Sequence, residues 1–202
     1  ATIASEIVFE AKRYGYTVIL LDTLEDEGNE SECINTLLTR SIDGIILVPC
    51  GERPESLEKI DEQTPIVLID RYFEDTSLSY ICTDNYRGAL DGVKLLIENG
   101  HKEILCIRGV PHSMPSKERV KGYIDALRES GFDTRSRIAG NDYSITNGYL
   151  ETKLAIGSPA RPTAIFALSN TIMLGAIRAI GVSTSLPAVM IRSANSSTTT
   201  TI

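Results

Sequence analysis

The sequence predicts an α/β protein built from two Rossmann-like lobes, each a parallel sheet flanked by helices. Three observations lead there. Short, continuously apolar runs such as Pro65-Ile66-Val67-Leu68-Ile69 and Ile104-Leu105-Cys106-Ile107 are the pattern of strands buried on both faces of a parallel sheet. Between them lie segments of helical periodicity, and this β-α-β alternation defines the class. The rhythm also runs longer than one small sheet needs. A division near Thr83-Asp84 separates lobes over residues 1–83 and 84–202.

The elements follow in order. Ile3, Ile7, Val8 and Ala11 recur at helical spacing, with Gly15 as the stop. Thr17 to Leu21 is β-branched and apolar and reads as a strand. Residues 29–40 form a helix with Cys33, Ile34, Leu37 and Leu38 on one face. Ile42 to Val48 is a strand, Pro54 to Ile60 a short helix, Pro65 to Ile69 a strand and Leu78 to Cys82 a short one. Residues 85–98 form a helix with Asp84 as N-cap and Gly100 as C-terminal signal. Ile104 to Ile107 is a strand and Lys117 to Ser130 a helix. Residues 145–156 are helical, Thr163 to Leu168 a strand, Thr171 to Ile180 a helix and Ala188 to Ile191 a last strand. Ser193 to Ile202 is rich in Ser and Thr and does not read as a packed element. A helix opens almost at Ala1 with no strand before it, so both ends read as incomplete.

Composition narrows the function classes. With 42% apolar and 23% charged residues the chain is an ordinary globular one. No apolar run approaches the roughly 20 residues that span a bilayer. The first residues show no basic segment followed by an apolar one, so a cytoplasmic location and no membrane partner are expected. A net charge of −7 opposes DNA binding by this chain itself, because phosphate contacts need clustered Lys and Arg. Cys33, Cys50, Cys82 and Cys106 form no CxxC pair and are expected to be reduced and structural. The only histidines, His101 and His112, have no ligand-spaced neighbours, so no metal and no cofactor are expected. There is no GxSxG elbow, no P-loop and no carboxylate pair at a working spacing, so no catalytic residue is assigned.

Open α/β sheets bind ligands outside the carboxyl ends of their strands. That rule selects Asp70-Arg71, Gly109 to Pro115, Asn141 to Ser144 and Ser169-Asn170, among other loops. Asp70 can accept from hydroxyls and Arg71 can donate in a fixed fork; a loop ion pair or turn cap is the alternative. Arg119 sits early in a helix, where the dipole disfavours a cation. It either faces a cleft or is one more exposed charge beside Lys117, Glu118 and Lys121. The Tyr143 ring can stack on a sugar face or a base, or be a half-buried loop tyrosine. Asn170 can donate and accept, whereas simple helix capping also explains Ser169-Asn170.

In order and spacing these segments resemble the effector-binding core of LacI/GalR-type transcriptional regulators. The resemblance is carried by Gly15-Tyr16-Thr17-Val18, Asp43-Gly44-Ile45-Ile46-Leu47, Asp70-Arg71, Asp84-Asn85, Gly100-His101, Arg119 to Tyr123, Pro162 to Asn170 and Gly175-Ala176. It implies a periplasmic-binding-protein-like (type I) fold with an effector cleft between the lobes, a homodimer, and operator DNA bound through a headpiece absent from this chain. It further implies that Asp70, Arg71, Arg119, Tyr143 and Asn170 contact a small polar effector, a sugar, sugar phosphate or nucleoside. The chain departs from the family pattern at Thr171, where an acidic residue is usual, and at Ile191 to Asn195. A periplasmic sugar-binding protein feeding an ABC transporter shares the architecture and is the competing reading.

Overall fold

The computed structural model describes residues 2–51, 54–132, 137–181, 190–193 and 199–201. Two separate sheets organise it. The first has three parallel strands in the order β1 (Ile45–Leu47), β2 (Ile66–Ile69), β3 (Ser79–Ile81). Helices α1 (Thr2–Arg13), α2 (Glu27–Leu38) and α3 (Glu55–Asp61) belong to the same half of the chain. Its core joins Ile34, Leu57, Phe73 and Leu78 to Ile45, Leu47, Ile66 and Leu68 of the sheet. Glu30 ties α2 to the loop after β1, its Oε2 accepting from the Cys50 N–H at 2.6 Å.

The second sheet has the order β5 (Ile138–Ala139), β4 (Ile104–Ile107), β6 (Ala164–Ala167), β7 (Met190–Ser193), β8 (Thr199–Thr201). The first four strands pair in parallel and β8 runs antiparallel to β7. Strands β4 and β6 are buried along their whole length, as their unbroken apolar runs require. Helices α4 (Asn85–Glu98) and α5 (Met114–Glu129) pack on one face through Val93, Leu96, Tyr123 and Ala126. Helices α6 (Ile145–Gly157) and α7 (Asn170–Gly181) belong to the other face, whose core holds Ile172, Ala176 and Ile180.

Local signals act as the sequence leads one to expect. Asp84 caps α4 by accepting from the Arg87 N–H at 2.8 Å. Gly100 closes it at φ +87°, a conformation that costs a glycine nothing, and the His101 N–H returns to the Leu96 carbonyl.

Several expectations need correction. Residues 17–21 form no strand and pair with none among the described residues, and Ile19, Leu20 and Leu21 are exposed. A β-branched run becomes a strand only where it pairs with a partner ladder, and these residues pair with neither β1 nor any other described strand. The same sheet is not covered on both faces: Ile46 is 56% and Ile81 66% exposed, and Phe9 of α1 remains outside the core. In the second half, β5 is a two-residue strand not anticipated from the sequence. The Ser/Thr-rich tail, which does not read as a packed element, holds β8, paired to β7. Of the last expected strand, residues 188 and 189 lie outside the described residues.

Candidate functional site

The carboxyl ends of β2, β4, β5 and β6 carry the polar residues that matter. Asp70 follows β2 directly. Its backbone adopts φ +65°, a left-handed conformation rare outside glycine and best tolerated by Asp and Asn. Two backbone bonds define the bend, Asp70 N–H to the Ile81 carbonyl at 2.9 Å and Arg71 N–H to the Ile69 carbonyl at 2.7 Å. Asp70 itself is exposed, at the carboxyl end of the central strand of the first sheet.

Arg71 turns elsewhere. Its Nη2 donates to both oxygens of Glu25 at 2.9 Å, joining the β2 loop to the loop that follows residues 17–21. The ion-pair alternative read from the sequence therefore describes Arg71, while Asp70 is left outside that pair.

Arg119 decides against the surface-charge alternative. It is only 6% exposed, on the inner side of α5. Its Nε donates to Asn85 Oδ1 at 2.9 Å and its Nη1 to the Leu168 carbonyl at 2.6 Å. The guanidinium thus bridges the start of α4, the start of α5 and the end of β6. Burial pulls its pKa below the usual arginine value. The Tyr143 hydroxyl, Asp70 and Glu118 oppose that shift by favouring the cation. One buried positive charge therefore senses groups from both halves of the chain.

Tyr143 is held on several sides. Its hydroxyl lies 3.0 Å from Ser113 Oγ. Its ring occupies the space where a side chain on Gly109 would stand, since a Cβ there would be 2.0 Å from Cε1. Its carbonyl accepts from Thr171 Oγ1, which pairs with Ser169 Oγ at 2.9 Å. The loop is anchored by buried Asn147, whose Nδ2 donates to the carbonyls of Arg108 and Asp142. Because Ser113 is engaged with Tyr143 and the Val110 carbonyl, it makes no side-chain cap bond to α5.

Asn170 opens α7 and is exposed. Ser169 provides the cap, its Oγ accepting from the Ile172 N–H at 3.2 Å. Asp70 and Tyr143 thus act on the charge of Arg119, Asn170 stands at the end of the neighbouring strand β6, and Arg71 turns toward Glu25.

Sequence reasoning missed the contacts between the two halves. Tyr72 stacks on Tyr80 with ring centroids 4.3 Å apart and donates its hydroxyl to Glu118 Oε1 at 2.8 Å. Burial and the Glu118 carboxylate both push the Tyr72 pKa up. Asn85 was also overlooked as the partner of Arg119, and its buried Nδ2 has no partner. The sole sequence hint was its place directly after the capping Asp84. No cluster of three or more His, Cys, Asp or Glu among the described residues could hold a metal. No helix of the described residues is long and apolar enough to cross a membrane.

This architecture, two α/β units with polar residues gathered at the carboxyl ends of their strands, defines a small-ligand-binding class of fold. The particular family follows from comparison. A family model described as periplasmic binding proteins and sugar binding domain of LacI family matches residues 1–188, and the chain belongs to that family. It is 33% identical over 172 residues to the HTH-type transcriptional repressor CytR of Escherichia coli K12, covering 83% of this chain and 50% of CytR. It is 30% identical over 180 residues to catabolite control protein A of Priestia megaterium, covering 88% of this chain and 54% of that one. The chain therefore spans about half the length of these curated relatives. A crystal structure of a LacI-family sugar-binding transcriptional regulator from Escherichia coli, complexed with phosphate, superposes with a TM-score of 0.77 at 26% identity, covering 94% of this chain and 71% of that one. An uncharacterised protein from Actinobacillus succinogenes superposes with a TM-score of 0.85 at 27% identity, covering 95% and 72%.

Proposed function

We propose that this chain is the effector-binding and dimerisation core of a LacI-type transcriptional regulator, with lobes over residues 1–83 and 84–202 and a small polar effector in the cleft between them. The observation that carries the proposal is the buried Arg119, which donates to Asn85 and to the Leu168 carbonyl beyond β6 and whose cationic form Asp70 of the first lobe favours. Asp70 accepts from effector hydroxyls. Arg119 donates through the Nη hydrogens that Leu168 does not occupy. The Tyr143 ring covers one face of the effector, Asn170 closes the polar rim, and Arg71 joins it on exchanging Glu25 for the effector. Sugars, sugar phosphates and nucleosides fit this mixture of one acid, two cations and a ring.

The chain's own residues supply recognition and closure, and none of those grouped here is placed as a nucleophile or general base. An effector that contacts both lobes binds the closed arrangement more tightly than the open one and shifts the population accordingly. Coupled through a dimer to paired DNA-binding headpieces, that shift alters operator affinity. The names of the relatives as repressors support a regulator over a transporter-feeding protein. A second copy of the chain is supported by the outer face of α6 and α7, where Leu150, Leu154 and Leu174 are exposed.

A thermal-shift screen of sugars, sugar phosphates and nucleosides on the complete protein tests this. A true effector at about 100 times its Kd adds roughly 2.7 kcal/mol of stability. Conversion of the bound compound to product would overturn the reading. Gel shifts add the second arm: the complete protein binds a pseudo-palindromic site and responds to the effector, whereas residues 1–202 alone, at net charge −7, do not bind it.

A further inference from the structure

We infer that the outer flank of α5 carries a second ligand site, distinct from the cleft, that takes a small phosphorylated metabolite of nucleoside-monophosphate character. The observation is a groove of 410 Å³ along this helix, within the size range of small-molecule pockets. Its charge runs against that of the protein. Arg108, Lys117, Lys121 and Arg128 line it, with Asp125 as the one carboxylate, in a chain of net charge −7. That carboxylate is already engaged, since Tyr86 donates to its Oδ2 at 3.2 Å and Arg128 to its Oδ1 at 2.6 Å. Lys117 stands 4.0 Å from the exposed Glu74, a long surface pair that an incoming phosphate can replace. Lys121 lies over the Tyr86 ring, 5.4 Å from its centroid.

Two further features specify an amphiphilic anion rather than a bare ion. Between the cations the groove is floored by Val120, Ile124 and Pro111, an apolar strip suited to a base or a sugar face. Ser116, also lining the groove and 1% exposed, has a hydroxyl with no hydrogen-bond partner. A buried donor without an acceptor is costly, and a phosphoryl oxygen is an acceptor for it. A phosphate placed there also meets the positive end of the 16-residue helix α5, whose first turn Ser113 leaves uncapped.

The test is titration calorimetry of the complete protein with adenosine 5′-monophosphate, with adenosine, inorganic phosphate and a hexaglutamate peptide as comparison probes. The monophosphate should bind saturably and more tightly than adenosine or phosphate. Lys117→Glu and Lys121→Glu, both at exposed positions, should each weaken it by about tenfold or more, as expected for loss of a charge-assisted contact. Asp70→Asn, which alters the cleft, should leave it unchanged. Binding that survives both groove substitutions, binding that requires Asp70, a response confined to the peptide, or no saturable signal would each overturn the inference.

Discussion

Replacing Arg119 with Ala tests how the buried cation serves fold and site together. The substitution removes two charge-assisted hydrogen bonds, Nε to Asn85 and Nη1 to the Leu168 carbonyl. Each bond to a charged group contributes about 1.5–3 kcal/mol net. Both acceptors stay buried afterwards, and the Asn85 amide, whose Nδ2 already lacks a partner, then has none at either end. Against this stands relief from burying a charge, the desolvation that lowers the pKa of Arg119. The balance is a loss of about 2–4 kcal/mol, a large part of the 5–15 kcal/mol that stabilises a typical protein. With a urea m-value of about 2–3 kcal/mol/M the unfolding midpoint falls by about 1 M.

Equilibrium urea unfolding measures this directly, with Arg119→Met as the companion. Met keeps much of the volume and removes the charge, so it should lose less than Ala. A double-mutant cycle with Asn85→Ala should return a coupling of about 1 kcal/mol or more, because the pair shares a bond. A midpoint for Arg119→Ala within about 0.2 M of the parent at unchanged m would refute the argument: Arg119 would then be a binding group without structural duty. Additive behaviour in the cycle would remove Asn85 as its support.

Other outcomes follow from the same structure. Gly109→Ala should expel the Tyr143 ring, because the added Cβ would stand 2.0 Å from it; a stability loss of about 1–3 kcal/mol and weaker effector binding by calorimetry are expected. Gly148→Ala should force α6 from α7, since its Cβ would meet the Ile172 carbonyl at 2.1 Å, and a lowered thermal midpoint checks it. Tyr72 and Tyr123 both have pKa values raised above that of free tyrosine, chiefly by burial. Their contribution is present below the unfolded value near pH 10 and is lost as pH rises beyond it, so tyrosinate absorbance should lag in the native protein and appear on alkaline unfolding. Glu58, which accepts from the Ser77 N–H, has a lowered pKa. Its contribution is present above the unfolded value and lost as pH falls through the folded one, and carboxyl NMR titration should find it below the exposed glutamates.

What the sequence disclosed was local. The Asp84 cap, the Gly100 stop and the buried runs of β4 and β6 each follow from residues within a few positions of one another. What it hid depends on partners distant in the chain. Thr17 to Leu21 has the composition of a strand, yet pairing is a property of two segments, and it pairs with no described strand. The choice between surface and cleft for Arg119 rested on Asn85 and Leu168, 34 and 49 residues away. Asp70 and Arg71, adjacent and alike in promise, separated because Glu25, 46 residues from Arg71, captured only the arginine.

Helix α5 shows how such separation becomes function. Successive residues on a helix point about 100° apart, so Lys117, Glu118 and Arg119 serve three environments. Lys117 lines the outer groove, Glu118 receives Tyr72 from the first half of the chain, and Arg119 is buried against Asn85 and β6. Any event that rotates or shifts the start of α5 is felt at all three places at once. Tyr72→Phe, which removes only the hydrogen bond to Glu118, isolates the middle one. Under the proposed function it should favour the open arrangement and weaken an effector that binds the closed one, by up to about tenfold for a bond of about 1 kcal/mol. Small-angle scattering should show the unliganded variant more extended than the parent. Unchanged affinity together with an unchanged scattering profile would mean that Tyr72 and Glu118 touch without holding the lobes together.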